Sequence, residues 1–264
     1  MTLYRQFLTR NDCCAAGRTI TPQGVMVHST GANNPKVSRY VPGDEVLGVN
    51  RNGNHWDRPG VDKCVHAFVG KIADGSVAAV QTLPWDRRGW HAGTGTSGRS
   101  ANDTHIAFEI CEDGLDDPDY FAAVYQAAAE LTALLCRRYG LDPLADGAVI
   151  CHQEGYRRGV ASNHADVLHW FPRFGKRMDD FRAAVAALVR EEDDPMSYEQ
   201  WVQYMDRYRA ELAAQAASPW AEPFIRAAVD AGLMADADGS IQRPRDFVTR
   251  EELATGLAAV RHET

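Results

Sequence analysis

The chain has 264 residues, 45% hydrophobic and 9% aromatic, which are the proportions of a globular protein and exclude a disordered or fibrous one. It contains no apolar run of 18 residues, so no insertion into a membrane is expected. The formal charge of −8 lies in residues 191–264, with 7 arginines, no lysine and 15 acidic residues, whereas residues 1–190 balance 21 basic against 21 acidic residues. Neither part offers the positive field that binding to nucleic acid requires, which excludes that class of partner.

Five short apolar segments predict the strands of a central sheet, at residues 24–30, 65–71, 76–82, 104–111 and 148–152. The first segment runs into polar residues at His28, so it presents a histidine at a strand end. Asp74-Gly75, between the second and third segments, predicts a hairpin turn. In the fourth segment, alternation places Phe108 and Glu109 on opposite faces of the sheet.

Two helices are predicted beside these strands. Asp117-Pro118-Asp119 begins a helix that Gly140 ends. Its apolar residues share one face, namely Phe121, Val124, Tyr125, Ala128, Leu131 and Leu135. A second helix runs from about Met178 to Val189. Strands and helices mix without strict alternation, so the pattern predicts an α+β fold, a mixed central β-sheet flanked by helices.

The charge run EEDDP at residues 191–195 predicts a boundary after a first domain of residues 1–190. A capping-box pattern then begins a helix, so residues 191–217 are interpreted as linker and helix. Residues 218–264 predict a small all-α C-terminal module.

This last module resembles a single S-layer homology repeat over residues 218–260. W-A, A-x-x-A-G-L, D-G-S-I-x-R-P and V-T-R-E-E-L-A occur in that family's order. The resemblance implies anchoring to the cell wall, but such repeats usually work in groups. The alternative is a small helical dimerisation or spacer unit, with a homodimer formed through the C-terminal helices.

Six cysteines occur, at Cys13, Cys14, Cys64, Cys111, Cys136 and Cys151. They form no CxxC pair with a partner pair, and the first two are adjacent, which favours reduced and partly buried thiols over a zinc ribbon or a regular disulfide framework. The N-terminal residues lack the apolar run of a secretory signal. We therefore expect that the protein has no signal peptide and is made as a cytosolic product.

Several potential metal ligands come from opposite ends of the first domain. They are His28, His152, His164, Asp166 and His169. A catalytic zinc site needs three protein ligands of nitrogen, oxygen or sulfur type and keeps a fourth position open. Two histidines and an aspartate meet this requirement, although any one histidine alone is more often structural.

Four motifs occur in a characteristic order: VMVHSTG (25–31), GWHAGTG (89–95), IAFEI (106–110) and CHQEGYRRGVASNHADVLHWFP (151–172). In this order they resemble the type 2 N-acetylmuramoyl-L-alanine amidases, over residues 20 to about 182. That family includes phage endolysins, bacterial autolysins and peptidoglycan recognition proteins. The resemblance implies an enzyme that hydrolyses the amide between N-acetylmuramic acid and the L-alanine of the stem peptide.

The resemblance also implies a Zn²⁺ cofactor held by His28, His152 and Asp166. Val167 stands where the family usually has proline after the aspartate. The spacing from Asp166 to the aromatic-proline pair is that of the family, whereas His164 and His169 are the alternatives for the third ligand.

Further roles follow from the resemblance. Glu109 corresponds to the acid that deprotonates the attacking water and later protonates the leaving amine. His164 corresponds to the residue that stabilises the oxyanion of the transition state. His91 and Trp90 belong to a loop beside the cleft and are candidates for substrate binding.

The sequence thus predicts a zinc-dependent peptidoglycan hydrolase, and the expected absence of a signal peptide suits an endolysin that stays in the cytoplasm until it is released to the cell wall. One alternative is a non-catalytic peptidoglycan-binding protein on the same fold. Another is an intracellular amidase that recycles soluble muropeptides.

Overall fold

The computed structural model describes residues 1–193, 198–232 and 253. It contains two compact units, Met1–Asp193 and Asp194–Thr264. The strands are β1 (Leu3–Arg5), β2 (Gly24–Ser29), β3 (Ala67–Lys71), β4 (Val77–Gln81), β5 (His105–Ile110) and β6 (Val149–Cys151). The α-helices of the described residues are α1 (Asp12–Ala15), α2 (Pro118–Tyr139), α3 (His152–Arg157), α4 (Met178–Asp193), α5 (Tyr198–Ala213) and α6 (Glu222–Asp230).

The six strands form one sheet in the order β1-β4-β3-β5-β2-β6. Only β3 and β4 pair antiparallel, through the hairpin turn predicted at Asp74-Gly75, where Gly75 takes a positive φ of 87°. The predicted mixed sheet flanked by helices is confirmed. Strand β1 has no counterpart in the prediction, because three residues are too short to show a periodic pattern.

The sheet carries an apolar cluster on each face. The first cluster includes Val27, Ile106 and Phe108 and lies under helices α2 and α4, whose packing residues include Phe121 and Phe181. The predicted apolar face of α2 is buried as expected. Asp117 caps its N-terminus and Gly140 ends it in a left-handed conformation.

The second cluster covers the opposite face of the sheet. It includes Met26, Phe68 and Ala107, together with Tyr40 and Val41 from the loops. Alternation along β2 and β5 therefore puts the residues that follow Met26 and Ala107 by two, namely His28 and Glu109, on this second face.

A disulfide joins Cys13, in α1, to Cys64, just before β3. The expectation of reduced thiols is wrong for this pair. The two residues are 51 positions apart, and no sequence spacing reveals such a contact. Cys14, Cys111, Cys136 and Cys151 are free thiols.

Helix α4 continues to Asp193, so residues 191–193 of the predicted linker are helical. Acidic residues are compatible with a helix, so the charge run did not mark the end of α4. In the second unit, α5 and α6 supply the expected helical structure. Residues 233–252 and 254–264 of the S-layer-like module lie outside the described residues.

Candidate metal centre and active site

Three parallel strands bring the candidate residues to one edge of the sheet. Strand β2 lies between β5 and β6 and runs parallel to both. His28 lies near the end of β2, Glu109 near the end of β5, and His152 directly follows β6 as the first residue of α3. Because the carboxyl ends of parallel strands meet at the same edge, these side chains converge there.

Asp166 reaches the same place from the loop that follows α3. Val167 and Trp170, just after it, are fully buried in the first apolar cluster and anchor this loop. The Gln153 backbone N–H donates to the Asp166 carbonyl oxygen at 3.1 Å, which ties the loop to α3.

The three predicted zinc ligands converge. His28 Nδ1 lies 3.0 Å from Asp166 Oδ2 and 3.1 Å from His152 Nδ1, and His152 Nδ1 lies 3.6 Å from Asp166 Oδ2. With ligand bonds of about 2.1 Å, neighbouring ligands of a tetrahedral zinc ion lie about 3.4 Å apart. The three separations bracket that value, so the residues fit a zinc ion.

Electrostatics favour the protonation states that metal binding requires. Burial lowers the pKa of His28, against the raising effect of Asp166, so the imidazole tends to be neutral and keeps a lone pair. Burial would raise the pKa of Asp166, but the imidazoles of His152 and His28 beside it outweigh this effect and hold that pKa well below its usual range. A carboxylate and neutral imidazole form the donor set of a metal site.

His91 lies behind His28 and orients it. His91 Nδ1 is 3.0 Å from His28 Nε2, the ring nitrogen that faces away from Asp166. The side chain of the buried Asn102 accepts from the backbone N–H groups of His91 and Ala92, both at 2.8 Å, and so fixes this loop. Partners of this kind fix the orientation and tautomer of metal-binding histidines.

Glu109 lies beside the three candidate ligands, and its carboxyl group is buried. Its Oε2 atom is shielded from solvent and has no hydrogen-bond partner among the described residues. Burial raises the pKa of Glu109 well above its ordinary value, and the charges of Asp166 and Glu112 raise it further. A carboxyl group with a raised pKa holds its proton more readily than an exposed one, which suits it to exchanging protons with a substrate.

His164 lies at the exposed mouth of the site. Its ring packs against that of His152, with centroids 4.5 Å apart. The Ser162 hydroxyl lies 3.1 Å from His164 Nδ1 and 3.3 Å from His152 Nε2, so one serine contacts both histidines.

His169, the other alternative ligand, is engaged elsewhere. Its Nε2 lies 2.9 Å from Oε1 of the buried Glu112. Among the described residues, His28, His152 and Asp166 form the one group whose ligand atoms converge on a metal-sized position. His164 and His169 line the same cavity without joining that group.

A cavity of about 440 Å³ opens over this group. His91, Glu109, His164 and His169 line it, and so do Trp56 and Lys63. Trp90 instead packs against the cluster that contains the Cys13–Cys64 disulfide.

Sequence patterns did not point to several of these residues. Ser162 lies in a loop and Asn102 in a single turn of 3-10 helix, and their side-chain hydrogen bonds leave no periodic pattern in the sequence. Glu112 follows the end of β5. Trp56 and Lys63 lie in a loop without periodicity. Of these residues only Ser162 lies in one of the four motifs, within the segment ASNHAD, and this was the single sequence signal for any of them.

A family model described as N-acetylmuramoyl-L-alanine amidase matches residues 18–169, more than half of the chain. The chain belongs to this family. The matched residues of the amidase include His28, Glu109, His152 and Asp166. No curated protein matches the chain.

Solved structures resemble the amidase over most of its length. The Staphylococcus aureus hydrolase AmiA, in complex with its ligand, has a TM-score of 0.52 and 19% identity, covering 72% of this chain and 83% of that one. PlyL has a TM-score of 0.49 and 20% identity, covering 70% and 97%. A mutant endolysin from Bacillus subtilis has a TM-score of 0.46 and 21% identity, covering 70% and 99%. The likeness to AmiA shows a shared fold.

Proposed function

We propose that the protein is a zinc-dependent hydrolase that cleaves the amide between the lactyl group of N-acetylmuramic acid and the L-alanine of the stem peptide. Membership in the amidase family supports an amidase that acts on peptidoglycan. The observation that carries the proposal is the convergence of His28, His152 and Asp166 beside the unpartnered carboxyl group of Glu109.

The ligand set supports zinc as the cofactor. His28, His152 and Asp166 would hold the ion through two imidazole nitrogens and one carboxylate oxygen, which leaves room for a fourth ligand. When bound, zinc acidifies water and polarises the scissile carbonyl group.

Glu109 performs the proton transfers in this proposal. Its carboxylate accepts a proton from the attacking water and then delivers a proton to the nitrogen of the departing L-alanine. A pKa raised by burial suits both steps, because it makes the carboxylate a stronger base toward water and lets the protonated group keep its proton until the amine departs.

His164 stabilises the negative charge that develops on the carbonyl oxygen. Its ring projects from the exposed mouth of the cavity, where Ser162 contacts one of its nitrogens. Loss of one oxyanion donor costs about 3 to 4 kcal/mol of transition-state stabilisation in other hydrolases. No covalent intermediate is required, and Cys151 is buried with its pKa raised by that burial to about 11.

Dye release from purified, dye-labelled cell walls tests the proposal. The enzyme should release dye, a chelator should stop the release, and added zinc should restore it. Binding to walls without chelator-sensitive release would instead support the non-catalytic peptidoglycan-binding protein. Presence of every proposed ligand and of Glu109 favours the enzyme.

We further propose that the natural substrate is the intact wall, as for an endolysin, and that the same site also cleaves the amide of a short soluble muropeptide. The additional unit Asp194–Thr264 supports this choice, because a soluble fragment needs no second unit. Activity on soluble muropeptides combined with inactivity on walls would favour the recycling role.

The role proposed for the second unit is either wall anchoring or pairing of two copies. On α5, Tyr198, Trp201 and Tyr208 are exposed and fall at heptad spacing, which supports pairing through this helix. Light scattering on the full chain separates the two roles, since a monomer that binds walls would support anchoring.

A further inference from the structure

Lys63 brings a positive charge to the cavity wall. Among the described residues that line the cavity, it is the only lysine or arginine, whereas the carboxyl groups come from Glu109 and Asp166. Its ammonium group lies 5.3 Å from the centroid of the Trp56 ring and forms no ion pair with a described carboxylate. The cation is therefore available to an anion that enters the cavity.

The N-terminal segment holds this part of the wall in place. Asn11 is fully buried, and its side-chain amide donates to the backbone carbonyl oxygens of Trp56 at 2.9 Å and Lys63 at 3.1 Å. The next residue, Cys64, is joined to Cys13 by the disulfide. The Asn11 hydrogen bond and the disulfide both restrain the backbone at Lys63. This restraint lowers the entropy cost of binding a ligand.

The Trp56 ring gives the lysine a rigid support. It packs edge-on against Phe68, a core residue of β3, with centroids 5.1 Å apart. An ammonium group stacked on an indole keeps its apolar stem on the ring and its charge toward solvent.

Lys63 shares its cavity with the reacting groups. Glu109 and the candidate ligands His28, His152 and Asp166 line the same cavity of about 440 Å³. A substrate whose scissile amide reaches Glu109 therefore lies in the cavity that Lys63 also lines.

We propose that Lys63, supported by Trp56, binds a carboxylate of the stem peptide and gives the enzyme a preference for peptides with a free carboxylate over a carboxamide. The N-acetylated sugars are neutral, and the carboxyl group of muramic acid is consumed in the scissile amide. Carboxylates of an N-acetylmuramoyl peptide therefore lie on the peptide side of that bond. This inference rests on the proposed function.

The test compares two soluble N-acetylmuramoyl-L-alanyl dipeptides, one with a free carboxylate on its second residue and one with carboxamides only. In Lys63→Met, which keeps the apolar stem on Trp56, KM for the carboxylate substrate should rise about tenfold at unchanged kcat. KM for the carboxamide substrate should not change, and Lys63→Arg should retain most of the preference.

Lys176→Met is the matched control, because Lys176 also stacks on an aromatic ring, that of Tyr125, outside the cavity. It should leave both KM values unchanged. Equal KM values for the two substrates in the wild type, or equal effects of Lys63→Met on both, would overturn the inference.

Failure of the proposed function gives a different result, namely no hydrolysis of either peptide by the wild type. Isothermal titration calorimetry with the same two peptides then replaces KM by Kd. A Kd that is about tenfold lower for the carboxylate peptide than for the carboxamide peptide, with no such difference in Lys63→Met, would still support the inference. Equal Kd values would overturn it.

Discussion

His28 and Glu109 are register partners on the neighbouring parallel strands β2 and β5. Parallel partners project to the same face of a sheet, so a candidate metal ligand and a candidate proton carrier stand side by side without any contribution from a loop. The face they share is covered elsewhere by the second apolar cluster, which gives way here to the cavity. Metal binding by His28 and proton transfer by Glu109 therefore belong to different side chains, and each role can be tested by its own substitution.

Glu109→Gln should lower kcat by roughly a hundredfold to ten-thousandfold, because the amide cannot accept a proton from water. The zinc content should stay at the wild-type value, since Glu109 is not among the converging ligand atoms. Steady-state kinetics and elemental analysis of the same preparation check both. Loss of zinc together with activity would show that Glu109 supports the metal instead.

The pH profile of the same enzyme gives a second check on Glu109. Its pKa is raised above the ordinary value of 4.5, and the group must be ionised to accept a proton. The acid limb of kcat/KM should therefore lie above pH 4.5, with activity falling as the pH drops through the raised pKa. An acid limb that persists unchanged in Glu109→Gln would assign it to another group.

His91→Ala should weaken zinc binding about tenfold to a hundredfold, because His28 loses the partner of its Nε2 atom. Competition with a chromophoric chelator measures this affinity. The sequence interpretation of His91 as a substrate contact makes the opposite forecast, a raised KM at unchanged zinc affinity. Urea unfolding of the variant confirms that the comparison is made on folded protein.

The pair His169–Glu112 should stabilise the fold in a limited pH window. His169 donates a hydrogen bond to Glu112, which raises the pKa of His169. The contribution of His169 to stability is therefore present below pH 6.5 and is lost as the pH rises through the raised value. Burial would raise the pKa of Glu112, but the hydrogen bond from His169 lowers it. The contribution of Glu112 is therefore lost as the pH falls below 4.5 through the lowered value.

Both contributions coexist between about pH 4.5 and 6.5. His169→Gln should therefore lower the free energy of unfolding by about 1 kcal/mol at pH 5.5 and by less at pH 9, since the pair is partly exposed. Urea titrations at the two pH values measure the difference. A cost that does not depend on pH would rule out the ion pair as its source.

Reduction of the Cys13–Cys64 disulfide should lower the free energy of unfolding by about 4 kcal/mol, on the chain-entropy estimate for residues 51 positions apart. Urea unfolding with and without a reductant measures the change. The double variant Cys13→Ala/Cys64→Ala serves as control and should not respond to the reductant. Identical midpoints for the wild type in both conditions would show that the bond does not form in solution.

Patterns along the chain predicted the strands β2 to β6 and the helices α2 and α4. Period-two alternation placed Glu109 opposite Phe108, and the Asp117 and Gly140 signals bounded α2. These features depend on local geometry, which repeats along the chain and is therefore visible in one sequence.

Features that depend on contacts between distant loops were not visible. The Cys13–Cys64 bond, the Asn11 amide that links Trp56 and Lys63, and the buried Glu112 beneath His169 each depend on tertiary packing. Asp166 was placed only by resemblance, because its position comes from buried neighbours rather than from a periodic pattern.

Mass spectrometry of peptidoglycan digested by the wild-type protein, the chelated protein and the zinc-restored protein tests zinc-dependent cleavage of the amide directly. We expect new peptides that begin with a free L-alanine amino group, together with glycans that carry a free lactyl carboxyl group, in the first and third digests only. Digests with no free L-alanine terminus, or with the same termini after chelation, would contradict this expectation.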